Sequence, residues 1–111
     1  MDQLDRYREI VRRLIEEYAS YKPAYGDIRT EAVVDREHDH YEVIQVGWNG
    51  GQRVHGSVIH IDIRDGKVWI EYNGTDARLA EELAAAGIPR KDIVLGFQPA
   101  ELRPLTSYGV G

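Results

Sequence analysis

The chain has no cysteine, which excludes a disulfide framework and any thiolate-based metal or redox site. It has no apolar run near the length needed to cross a bilayer, and it opens directly on a charged helical pattern. Transmembrane and signal-peptide readings therefore both fail, and the expected location is the cytoplasm. It also lacks an excess of base: 14 lysines and arginines stand against 19 aspartates and glutamates, for a formal net charge of -5. Sequence-independent DNA binding runs on Lys and Arg neutralising phosphates. With no basic cluster, unaided DNA binding is a poor fit. A phosphate loop is missing too, because the glycines around Gly47–Gly51 precede a strand rather than a helix. At 111 residues the length suits one domain, residues 1–111, with a single modest core.

What the chain does have is a strong hairpin signal between Val54 and Thr75. Two runs rich in β-branched and aromatic residues flank Asp65-Gly66. A two-residue type I′ loop needs φ > 0 at both central positions, and this pair tolerates it. That loop places Ile63 opposite Val68, Ile61 opposite Ile70 and Ile59 opposite Tyr72 on one face. The other face then pairs Asp62 with Trp69 and His60 with Glu71.

Leu4 to Tyr21 reads as an amphipathic helix, with Leu4, Tyr7, Val11, Leu14 and Tyr18 repeating at threes and fours. Its other face interleaves arginines with acids, the pattern of a solvated surface. Lys22-Pro23 stops it. Ile28–Asp35 and Tyr41–Trp48 are strand candidates, joined by the polar Arg36–Asp39 connection. Asn49-Gly50-Gly51 turns into the central strand, with the register open. A two-residue loop puts Ile44 opposite Ser57 and Glu42 opposite Ile59; a three-residue loop puts Val46 opposite Val54. The central strand looks apolar on both faces, Val54 and Val58 on one and Ile59, Ile61 and Ile63 on the other. A half-wet antiparallel sheet alternates more cleanly, so the C-terminal tail or another chain is expected to cover part of the second face. Thr75-Asp76 is expected to start a second helix with Thr75 as its N-cap. Gly87 and Pro89 end that helix. Ile93–Phe97 reads as a buried extended segment and Gln98–Gly111 as an irregular tail. The expected fold is α+β: an N-terminal helix and a second helix on a mostly antiparallel sheet of about four strands.

Two groups of residues invite a chemical reading. His38-Asp39-His40 has the residue types of a metal cluster, but no helical histidine pair and no third neighbouring histidine completes it. It reads as a polar turn, and no metal ligand or cofactor is assigned. His60, Asp62, Trp69 and Glu71 share a face in the hairpin register. His60 opposite Glu71 could hold a proton near neutral pH. No nucleophile, pocket or positioned third group accompanies it, so no catalytic residue is assigned. An exposed Trp is a common interface anchor, and the four residues are read as an interaction face.

The chain as a whole resembles the XisI family, the controlling factors associated with excision of the fdxN element in cyanobacteria. The resemblance rests on Tyr21-Lys22-Pro23 with Tyr25-Gly26-Asp27, on Asp39-His40-Tyr41 followed by Gly47-Trp48, and on Ile59-His60-Ile61-Asp62-Ile63 with Asp65-Gly66-Lys67. It continues through Trp69-Ile70, Asn73-Gly74-Thr75 and Asp92–Phe97, and is weakest after Pro99. It implies a XisI-like α+β fold and a non-enzymatic accessory role beside a site-specific recombinase during heterocyst development. It also implies a XisH-like protein partner and an indirect association with DNA. A homo-oligomer stays open. The rival readings are a direct DNA-binding regulator and a small ligand-binding or enzymatic module around His60 and Glu71.

Overall fold

A computed structural model describes residues 2–111. The first helix, α1 (Gln3–Ala19), is started by Asp2, whose carboxylate accepts the Asp5 backbone N–H at 2.8 Å. Its stripe of Tyr7, Val11, Leu14 and Ile15 is buried. The acidic far end has no basic side chain to suit the helix dipole. A tertiary contact holds it instead: the Tyr18 hydroxyl donates to Glu82 at 2.5 Å.

Five strands follow: β1 (Asp27–Asp35), β2 (His40–Asn49), β3 (Gln52–Arg64), β4 (Lys67–Asn73) and β5 (Ile93–Leu95). They lie in the order β1-β2-β3-β4-β5. The first four are antiparallel, and β5 pairs with β4 in parallel. The expected α+β class holds, with one strand more than the expected four. The extra strand is the apolar segment at Ile93; it returns to β4 through the second helix, α2 (Leu79–Ala85), as a parallel pair requires.

The helix α2 begins at Leu79, not at Thr75. Side chains consume the local donors first. Asn73 Oδ1 accepts both the backbone N–H and the hydroxyl of Thr75, and Thr75 Oγ1 accepts the Ala77 N–H at 3.1 Å. These turns compete with helix and delay its N-cap from Thr75 to Arg78, by three residues. Leu79 and Leu83 then bury against the sheet beside Ile88 and Ile93, closing one core with α1.

Asp65 and Gly66 both have positive φ, as the tight hairpin needs. Ile63–Val68, Asp62–Trp69 and Ile61–Ile70 pair as the turn predicts. A bulge beyond Ile61 leaves Glu71 as the extra residue, so His60 faces Tyr72 and Ile59 faces Asn73. The expected His60–Glu71 and Ile59–Tyr72 pairs are therefore not made. The β2–β3 hairpin begins with the two-residue loop, including Ile44 opposite Ser57, and then slips by one at Val43/Ile44. Val58 is the residue left over. The slip corrects the apparent two-sidedness of β3: Val58 packs against the same core as Ile59, and Val54 lies opposite Gly47 on the core side. A bulge resets which side chains point inward.

Both helices therefore cover one face of the sheet. Part of the second face is covered by the C-terminal segment, whose Arg103 and Gly111 lie on Trp69 and which bridges Val94 at Gly109 along the edge of β5. The Gly109 N–H also donates to the Ile93 carbonyl at 2.7 Å. Among the described residues no helix is long and apolar enough to cross a membrane.

Candidate functional site

The outer face of the sheet carries the side chains that alternate away from the core: His40, Glu42, Ile44, Val46 and Trp48 on β2, and His60, Asp62 and Arg64 on β3. Cross-strand pairing arranges them in rows. One row runs Asp35–His40–Asp62–Trp69–Val94; the next runs Val33–Glu42–His60–Tyr72.

Asp62 is the centre of the first row. Its side chain is only 13% exposed, and its Oδ1 lies 2.8 Å from His40 Nδ1 and 2.8 Å from His60 Nε2. His40 reaches it from the facing residue on β2, and His60 from two residues back on its own strand, where side chains share a face. The hydrogen bond to Asp62, then its charge, raises the His40 pKa above the ordinary imidazole value. Burial opposes the shift, and Asp35 and Glu42 add to it.

The turn before His40 is fixed from α1. Asp39 sits at φ 58°, and its carboxylate takes a two-pronged contact from Arg8, Nε at 2.8 Å and Nη2 at 3.0 Å. The Tyr41 hydroxyl donates to it at 3.0 Å. Burial pushes the Asp39 carboxyl up, but Arg8 and Tyr41 outweigh it and hold it below the usual carboxylate range. Hydrogen bonding to Asp39 correspondingly raises the Arg8 pKa. His38 takes no part in the cluster; its Nδ1 lies 2.9 Å from Asp35.

The four residues read from sequence as one face are only partly brought together. His60 and Asp62 touch. Glu71 makes no hydrogen bond or ion pair with His60 and lies against Gly96, where an added Cβ would fall 2.1 Å from its Oε1. Trp69 is not the exposed anchor expected: it is 6% exposed. Arg64 stacks on its ring at 3.8 Å, Arg103 approaches at 5.2 Å, and Gly111 lies against its edge. The exposed aromatics on this face are Trp48 and Tyr72, each 50% exposed, beside Val33. Sequence reading missed them and missed the bond between His40 and Asp62, because both follow from the register of β2 against β3. The available signal was the repeat of His60-x-Asp62 along one strand face with a histidine at the start of the neighbouring strand. The largely apolar cleft of ≈ 300 Å³ beside Tyr18, Val58 and Thr75 opens on the helical side and includes neither His60 nor Glu71.

Helices on one face of a five-stranded sheet, a tail over part of the other, and an open remainder define a small α+β domain with a free sheet face. The chain belongs to the XisI family, whose family model, described as XisI protein, matches residues 1–110. The crystal structure of a XisI-like protein from Anabaena variabilis ATCC 29413 is 44% identical, with 97% of this chain and 99% of that one covered at a TM-score of 0.91. That of the fdxN element excision controlling factor XisI from the same organism is 32% identical, with 99% and 100% covered at a TM-score of 0.82. No curated protein matches the chain.

Proposed function

We propose that this protein is a non-catalytic accessory factor in the control of DNA element excision, acting in the cytoplasm by binding a XisH-like protein partner. The reading draws on the family and on a similar protein named an excision controlling factor. One observation carries the mode of action: the open sheet face bears a continuous apolar stripe. Ile44, Val46 and Trp48 occupy successive outward positions along β2, and the next row adds exposed Val33 on β1 and Tyr72 on β4 to either side of Glu42 and His60. Half-exposed aromatics beside a polar rim are what a protein interface uses as anchors. The net charge of -5 disfavours phosphate as the primary target.

The test is size-exclusion chromatography with light scattering on the protein alone, on the XisH-like partner alone, and on the mixture. A shared peak that Trp48→Glu abolishes, without loss of fold by circular dichroism, supports the reading. Separate peaks at micromolar concentration overturn it. A salt-dependent shift of duplex DNA by the isolated protein would favour the direct DNA-binding alternative.

A further inference from the structure

We propose that His40, His60 and Asp62 form a site for one divalent late first-row metal ion of the zinc class. Nothing in the accessory-factor reading calls for this site, and it stands on different residues from the apolar stripe. Each of the three side chains offers one ligand atom, and the three atoms lie within 4.8 Å of one another. The pattern is two imidazoles and a carboxylate from adjacent strands, all on one side of the ion's position. That donor set suits Zn, Co or Ni, whereas Mg and Ca prefer an all-oxygen shell.

The geometry is close to what an ion needs. Two ligands about 2.1 Å from a tetrahedral ion lie about 3.4 Å apart. The two N–O separations here are 2.8 Å, so each opens by only about 0.6 Å on binding, within reach of small side-chain rotations. The backbone is already placed: Asp62 and His40 are direct cross-strand partners, and the Arg8–Asp39 contact fixes the turn that delivers His40. The local charge also suits a cation. Glu42 faces the same side as His60's cross-strand partner, and the Arg64 guanidinium is drawn onto the Trp69 ring. Three protein ligands leave further positions open toward solvent, as in sites that accept water or an outside ligand.

The histidine count supplies the controls, because the chain has four and only two are in the cluster. Tag-free full-length protein, stripped with chelator, is titrated with Zn²⁺ against a chromophoric competitor and with Co²⁺ by visible absorption. One ion per chain with micromolar or tighter affinity is expected, with Co²⁺ bands of a low-coordinate nitrogen–oxygen site. His40→Ala, His60→Ala and Asp62→Asn should each weaken binding by at least about ten-fold, the lower bound set by loss of mere outer-shell partners. His38→Ala and His55→Ala should bind as the parent does. Circular dichroism confirms that each variant is folded, and all of these side chains are at least partly solvent-exposed. No saturable 1:1 binding overturns the proposal. So does a binding curve that His60→Ala leaves unchanged, or one that His38→Ala weakens equally.

Discussion

Replacing Trp69 separates two pictures of the same residue, an anchor kept for a partner and a clamp that holds the tail to the sheet. The indole is 6% exposed, pairs with Val94 across β4 and β5, and lies beneath Arg64, Arg103 and Gly111. Truncating a buried Trp to Ala costs about 3–5 kcal/mol. Against a total of about 5–15 kcal/mol for a domain of ordinary stability, that is a large share. Trp69→Phe should behave very differently. It gives up roughly 40 Å² of ring, about 1 kcal/mol at about 25 cal/mol per Å². It also removes Nε1, which is buried with no hydrogen-bond partner among the described residues, and an unpaired buried donor costs about 1–3 kcal/mol. The net effect therefore runs from neutral to a gain of about 2 kcal/mol. Urea unfolding followed by far-UV circular dichroism measures both variants. Fluorescence adds a check: with Trp48→Phe as background, Trp69 alone should emit in the blue and move to the red only as the domain unfolds. A Trp69→Ala cost below about 1 kcal/mol would refute the clamp, as would equal costs for Ala and Phe.

Gly47 lies so close to the edge strand that an added Cβ would fall 2.1 Å from the Asp27 carbonyl oxygen and 2.7 Å from Ile28 Cα. Both obstacles are backbone, so Gly47→Ala should destabilise by about 1–3 kcal/mol and strip amide-exchange protection from β1 first; unchanged β1 protection would count against that contact. In chelator, His40 should titrate above ordinary imidazole by NMR, and Asp62→Asn should lower it by removing the largest contributions. Because the folded pKa is raised, the stabilisation is fully present below the unfolded pKa and is lost as pH rises through the folded one; a His40 resonance that ignores Asp62→Asn would refute the pairing.

Legibility in the sequence followed the range of the physics. Asp65-Gly66 dictates its own backbone, so the pairs Ile63–Val68, Asp62–Trp69 and Ile61–Ile70 were readable from it. The register was lost at the first bulge, because Glu71 and Val58 carry no compositional mark of being surplus residues. The start of α2 was misread because Thr75 looks like an N-cap, and its hydroxyl does accept a backbone N–H, but in a turn organised by Asn73. Ile93–Leu95 was legible as buried and extended; its parallel partner lies across a helix and leaves no local trace. Trp69 was placed on the correct face, but its cover comes from Arg103 and Gly111, far along the chain. Of the site, His60 and Asp62 were visible as a pair along one strand, while His40 was attached to the wrong neighbour, His38.

The same surplus residue decides both the core and the cluster. Without the slip at Val58, the two-residue loop that pairs Asn49 with Gln52 would run on unbroken and bring His40 opposite Ile61, a side chain that points into the core. With it, Val58 joins Ile59 against the helices, and His40 moves opposite Asp62 on the outer face. One residue of stagger thus gives the core another aliphatic side chain and aims a second imidazole at a carboxylate that His60 already reaches. The bulge therefore has a chemical consequence as well as a packing one, as bulges beside functional sites do when they re-aim a side chain. Trp48 and Tyr72 lie on either side of this point, so the apolar stripe and the histidine cluster depend on the same register.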